Sequence, residues 1–312
     1  MISWLSRSVS GTLLGAFGFV LGIGGHPDNP GLAGEGTRLE ALPQADVGPS
    51  RGASTTTTPS VVPESACPAG MVEVQGDFCP FVAQKCLRWV DPETKMRCAE
   101  FAPTGECRLR TLPKHFCIDQ YEYPNAPGAK PSVMVTWNQA REACAAEGKR
   151  LCGEQEWTLA CEGSERLPYP YGYARDADAC NIDRPHPNLD ERLLADLRTR
   201  DAELGRLDQR EPSGAHASCV SPFGAYDMTG NVDEWVVNES GRPYKSGLKG
   251  GYWGRVRNRC RPTTIAHDES FAFYQIGFRC CSDPGAATHT PPVARSVSAP
   301  ELLASVVASR GA

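Results

Sequence analysis

Apolar and polar positions along this chain fall into stretches of different texture. Leu13 to Ile23 (LLGAFGFVLGI) is an apolar run of 11 residues behind Arg7. A membrane-spanning helix needs about 20 such residues. The run therefore predicts the core of a secretory signal peptide, or a short N-terminal anchor, within residues 1–25. No further membrane span is expected. Residues 26–66 carry HPDNPGLAGEGT and GPSRGASTTTTPSVVPES, which hold too little apolar surface to offset the entropy of ordering. They read as a disordered linker. Residues 284–312 read as a disordered tail, whose last stretch from Pro300 to Ser309 (PELLASVVAS) has a weak helical pattern. The ordered part is thus expected at 67–283.

Inside that part, Met71 to Val74 (MVEV) and Phe116 to Asp119 (FCID) predict short strands. The clearest helix lies within Val133 to Gly148. Thr136 and Gln139 form a capping-box pattern, Trp137, Ala140 and Cys144 share one face, and Gly148 supplies a left-handed stop. A second helix is expected at Glu154 to Glu162, with Trp157, Ala160 and Cys161 inward and Gly163 ending it. Each helix points one Cys at the core. Residues 188–209 place Leu193, Leu197, Leu204 and Leu207 at mostly helical spacing. They predict one or two amphipathic helices interrupted near Gly205. From Ser221 onward the segments SPFGAYDMTGNVDEWV, LKGGYWGRVRNRCRP and FYQIGFRCC mix glycine, aromatics and turn formers. That texture predicts short strands joined by long ordered loops.

Composition narrows the function classes. Basic and acidic residues number 32 and 37, a net charge of −5, with no Lys/Arg-rich run. A nucleic-acid partner held by electrostatics is not expected. All 14 Cys lie between Cys67 and Cys281. Reducing cytosol rarely tolerates that density in bonded form, so a secreted or periplasmic location is expected. Six of these Cys fall in 67–117 without a C-x-x-C pair, which predicts a disulfide-stapled region rather than a zinc ribbon. The histidines at 26, 115, 186, 216, 267 and 289 show no metal-ligand spacing. They read as surface or satisfied side chains.

Several motifs then occur in a telling order: FCIDQYEYPN, VTWNQAREACAAEGKRLCGEQEWTLACEG, LPYPYG, FGAYDMTGNVDEW, KGGYW and IGFRC. Together they resemble the formylglycine-generating enzyme family, also called sulfatase-modifying factors. The resemblance covers about 115–282. It sets a family domain at 115–283 apart from a Cys-rich N-terminal extension at 67–114. It implies an irregular α+β fold, related to C-type lectin-like folds, with little regular secondary structure and disulfide staples.

The resemblance also implies where chemistry would sit. Active members bind Cu(I) through two thiolates that follow a Gly-Gly-Ser strand, and soft sulfur suits that ion. Here Tyr252 replaces the serine, Arg255 stands at the first copper Cys, Val256 at a histidine, and Cys260 at the second Cys. A second count from the family makes Cys260 a structural Cys bonded to Cys161, beside a bridge Cys144–Cys280. On either count the thiolate pair is incomplete, so copper is not expected, and Cys260 is the one candidate for a catalytic thiol. Two calcium loops are also implied. One uses Thr229, Gly230, Val232 and Glu234, and the other begins at Asn181 and Ile182. Calcium takes oxygen ligands of this kind. Arg279 is expected in a structural ion pair.

Three functions remain open at this point. One is an exported binding or scaffolding module for a protein, peptide or glycan ligand, without oxidase chemistry. Another is an oxidoreductase that converts a target cysteine to formylglycine, or a related enzyme acting on small molecules. The third is a structural envelope component. Tyr252, Trp253, Tyr169 and Tyr171 are cleft or core aromatics in any of them.

Overall fold

The computed structural model describes residues 66–286, apart from Thr104 and His186. The signal or anchor, the linker, most of the tail, His26 and His289 lie outside the described residues. Four strands form the larger sheet. They are β1 (Met71–Phe78), β4 (Leu112–Asp119), β5 (Arg150–Leu151) and β9 (Cys280–Ser282), in spatial order β1-β4-β9-β5. β1 and β4 pair antiparallel over eight positions, from Met71↔Asp119 to Phe78↔Leu112. The stretch ahead of residue 115 thus supplies a whole strand of this sheet.

A second sheet contains β6 (Asp233–Val237), β7 (Ser246–Lys249) and β8 (Ile276–Phe278), with β6 in the middle. β6 runs antiparallel to β7 and parallel to β8. A small hairpin of β2 (Cys86–Trp89) and β3 (Cys98–Phe101) stands apart from both sheets.

Helix α1 (Trp137–Ala146) starts where the sequence places its cap. The Thr136 side chain accepts from the Gln139 amide, and the Gln139 side chain accepts from the Thr136 amide. Trp137, Ala140 and Cys144 are its buried residues. Helix α2 (Glu154–Glu162) buries Trp157, Leu159, Ala160 and Cys161 against β1 and β4, where Val74, Phe78, Phe116 and Ile118 wait. Indole nitrogens tie both helices to β6. Trp137 Nε1 donates to the Val236 carbonyl at 2.9 Å, and Trp157 Nε1 donates to Glu234 at 2.7 Å.

The leucine-bearing segment differs from its pattern. It forms α3 (Glu191–Ala195) and α4 (Arg200–Leu207), and Gly205 lies inside α4. The break instead falls at Asp196, which ends α3 in an extended conformation. Leu204 and Leu207 pack beside Trp253 and Tyr274, whereas Leu193 and Leu197 are 39% and 77% exposed. A five-residue helix is too short to bury a stripe, so Leu193 is left partly exposed, and Leu197 falls beyond its end.

All 14 Cys are bonded, in seven bridges. Cys67–Cys117, Cys79–Cys107 and Cys86–Cys98 lie in the first third of the described chain. Cys144 pairs with Cys280, and Cys152 pairs with Cys281. Neighbouring residues on β9 point to opposite faces, so this short strand is clamped from both sides. Cys161–Cys260 and Cys180–Cys219 complete the set. Seven bridges mark a chain that folds under oxidising conditions.

Candidate functional site

The strand β6 continues the loop Thr229-Gly230-Asn231-Val232, and this loop is buried. Gly230 has φ of +89°, and a Cβ there would collide with the Asn181 carbonyl. That close approach joins the two loops that the sequence singled out. The Asn231 amide donates to the Asn181 carbonyl at 3.0 Å, and Asn181 Nδ2 donates to Asn231 Oδ1 at 3.1 Å.

The polar interior beneath them is organised by Arg279. This side chain is fully buried, and it donates to both oxygens of the equally buried Glu234 at 2.7 Å. It also donates to the backbone carbonyls of Tyr226 and Asp119. Glu122 and Asp227 lie close enough to feel its charge. Glu122 accepts from Ser213 Oγ, Asn231 Nδ2 and the Val232 amide. Burial pushes the Glu122 carboxyl well above the usual range, and the charges of Asp227 and Glu234 add to the effect.

Those bonds bear on whether the residues as placed fit calcium. Glu234 gives both oxygens to Arg279 and one of them also to Trp157. The Asn181 carbonyl accepts from Asn231, and Asn181 Oδ1 accepts from Arg184 Nε. Val232 and Ile182 are buried in apolar clusters. A carboxylate already neutralised by a guanidinium offers no net charge to a cation. The residues as placed therefore do not fit a calcium ion held by Glu234.

Asp227 makes this interior sensitive to pH. It is 4% exposed, and its carboxyl accepts from the Gly214 amide at 2.7 Å. Burial pushes its pKa up to about 6, against the pull of the Gly214 amide and Arg279. A folded pKa above the unfolded value near 3.8 contributes stability that is complete below the unfolded value and lost as pH rises through about 6. The shift of about 2 units corresponds to on the order of 3 kcal/mol. Glu122 acts in the same direction. Lys249, whose pKa burial lowers to about 7, contributes only above that pH. The melting temperature is thus expected to rise as pH falls from about 7.5 to 5. Asp233, whose carboxyl burial pushes up to about 7, adds to the same slope, so Asp227→Asn should remove only its own part of it, and an unchanged slope in the variant would refute the assignment.

The stretch that carries copper chemistry in the resembled family begins with Gly250 and Gly251, both at positive φ. Tyr252 packs edge-on against Trp253, and Trp253 is buried beside Tyr274. Arg255 is exposed and Val256 half-buried. Cys260 is fully buried and bonded to Cys161. No cysteine is free, so this stretch presents no thiolate, and it does not fit a two-thiolate copper site. Cys260 thus forms the bridge to Cys161 that the resemblance implies and offers no catalytic thiol. Tyr169 is core, with its hydroxyl donating to the Cys98 carbonyl at 2.6 Å, and it stacks on Tyr171. His115 pairs with Glu73, His216 with Glu211, and His267 stacks on Phe271.

The sequence reading missed a cavity of about 200 Å³ at the end of β7, where Asp233, Lys249, Gly250, Gly251 and Arg257 meet Met96 of the hairpin loop. Asp233 is half-buried, accepts from the Gly251 amide, and is pushed by burial to a pKa of about 7. Its position inside the TGNVDEW motif was the available signal. An acidic residue entering a buried strand needs a reason.

An irregular α+β architecture, buried Glu–Arg interior and glycine-rich chemical strand define one class of domain. The model for the "Sulfatase-modifying factor enzyme 1-like domain" matches residues 73–284, and the chain belongs to that family. The match begins inside β1. "Inactive C-alpha-formylglycine-generating enzyme 2" of Bos taurus is 29% identical over 174 residues, covering 50% of this chain and 51% of its own. The Mus musculus protein of that name is 29% identical over 191 residues, covering 56% and 57%. "Formylglycine-generating enzyme" of Thermomonospora curvata is 25% identical, covering 54% and 59%. The chain thus spans about half the length of the curated relatives it matches. Among solved structures, PvdO from Pseudomonas aeruginosa superposes with a TM-score of 0.44 at 19% identity, covering 68% of this chain and 94% of that one.

Proposed function

We propose that this chain is an exported, secreted or periplasmic member of its family that has given up copper-dependent cysteine oxidation and acts as a binding module. One observation carries the reading: the sole sulfur on the chemical strand, Cys260, is locked in a bridge to Cys161. Arg255 and Val256 occupy the positions at which the family would place its other ligands. A guanidinium repels a cation and cannot replace a thiolate. The names of the two mammalian relatives, which call them inactive, favour the same reading. The ligand class is a protein, peptide or glycan, recognised on the loops that the bridges hold rigid.

The test is metal loading and product analysis on the full chain. Titration with Cu(I) under a competing chelator is expected to give no stoichiometric complex. Incubation with a cysteine-bearing sulfatase peptide and oxygen is expected to leave the peptide mass unchanged. One equivalent of tightly bound copper, lost in Cys260→Ser, would overturn the reading in favour of the oxidoreductase. So would an aldehyde product on the peptide.

A further inference from the structure

The cavity at the end of β7 contains a pair of charges that the protein itself leaves open. Asp233 lines it, and its carboxyl accepts a single backbone amide, that of Gly251. Arg257 lines it too, is exposed, and forms no ion pair among the described residues. The two attract each other electrostatically without closing a salt bridge. Arg255 and Arg259 also form no ion pair among the described residues, and Arg259 lies over the Phe101 ring instead, but other arginines of this region are paired. Arg261, four residues after Arg257, forms a two-pronged pair with Glu162, and Arg175 forms one with Asp183. Arg97 likewise holds Asp91 and Asp183. Opposite charges that share a cavity and remain unpaired are suited to a ligand that comes between them.

The rest of the wall is mixed: Lys249 and Thr264 are polar, and the Lys249 ammonium is turned to the Arg261 carbonyl and Thr263 Oγ1. Met96, Leu248, Val256 and Pro262 contribute the apolar part of the lining. At about 200 Å³ the space is smaller than the roughly 300–1,000 Å³ of a drug-sized pocket. It suits a molecule with few heavy atoms.

We infer that this cavity binds a small zwitterion, a free α-amino acid with an apolar side chain. The ammonium group sits on Asp233, the carboxylate on Arg257, and the side chain lies on the wall of Met96, Leu248, Val256 and Pro262. Arg257 suits a carboxylate because its planar fork can donate two parallel hydrogen bonds. Asp233 has an oxygen left to accept from an ammonium group. The inference rests on the binding-module reading and adds a small-molecule ligand to the protein, peptide or glycan of that reading. Met96 belongs to the loop between β2 and β3, so a bound amino acid would bridge the hairpin and the second sheet.

Calorimetric titration of the full chain with L-leucine tests it. Saturable binding at one site is expected in the submillimolar range. N-acetyl-leucine, which lacks the ammonium, and leucinamide, which lacks the carboxylate, are each expected to bind at least about tenfold more weakly, the worth of one charge-assisted hydrogen bond. Glycine should lose a comparable factor because it leaves the apolar wall wet. Asp233→Asn and Arg257→Gln should each lose about tenfold for leucine while still unfolding cooperatively. If either variant fails to fold, the ligand analogues on the natural chain decide alone. No saturable leucine binding, or an N-acetyl-leucine or leucinamide affinity equal to that of leucine, overturns the inference. Neither outcome bears on copper loading or aldehyde formation, so its failure is separable from failure of the proposed function.

Discussion

Replacing Arg279 with methionine is expected to cost about 3–5 kcal/mol of stability, the penalty for leaving a buried carboxylate unpaired. Glu234 is fully enclosed, and its other side-chain partner among the described residues is the Trp157 indole. Asp227 and Glu122 lie nearby, so removing the one cation would leave three acids in a dry interior. The loss should be smaller at low pH, where Asp227, pushed by burial to about 6, and Glu122, pushed well above the usual carboxylate range, carry less charge. Glu234→Leu in the Arg279→Met background should recover part of the loss, since an apolar pair of similar volume is tolerated better than a lone charge. Urea denaturation at about pH 5 and 7.5 checks all three statements. An Arg279→Met variant as stable as the parent at neutral pH would show that water reaches Glu234.

Loss of both bridges on β9 should be larger still. Cys144–Cys280 and Cys152–Cys281 span 136 and 129 residues, but eight residues separate their first partners and their second partners are adjacent. Removing either pair by Cys→Ala leaves the other to hold nearly the same closure. The cost is then that of opening a short ring, about 2–3 kcal/mol in the chain-entropy model. Removing both leaves Cys161–Cys260 as the nearest closure. The combined cost rises to about 6 kcal/mol, comparable with the whole stability of many domains. Guanidinium melts of the two double-Cys variants and of the four-Cys variant measure this. A four-Cys variant that melts with the parent would mean that packing around Trp137 and Phe278 holds β9 without help.

Legibility of the fold in the sequence depended on how local its cause was. α1 and α2 were readable because a capping box and a terminal glycine act within a few residues. β1 was readable only at its start. Its buried positions are Met71, Val74 and Phe78, a spacing of three and four that hides the alternation of a strand. What makes it a strand is its long-range pairing with β4. The break in the 188–209 segment was placed at Gly205 because glycine is a poor helix former. Asp196 ends α3 instead, and its side chain accepts from the Arg198 amide just beyond the helix. Glu234 is positioned by Arg279, 45 residues away, a distance that no local pattern spans. The cavity escaped for the same reason. Met96, Asp233 and Arg257 come from three separate segments and meet only once both sheets have formed.

The bridges also set how far the chain can be drawn out. From Cys67 to Cys281 the unbridged backbone could extend to about 700 Å at roughly 3.4 Å per residue. With Cys67–Cys117 and Cys144–Cys280 closed, a pull on those ends is carried by the stretch from Cys117 to Cys144. That stretch reaches about 90 Å at full extension. As long as the bridges survive, the domain acts as a short inextensible link in any tether it terminates.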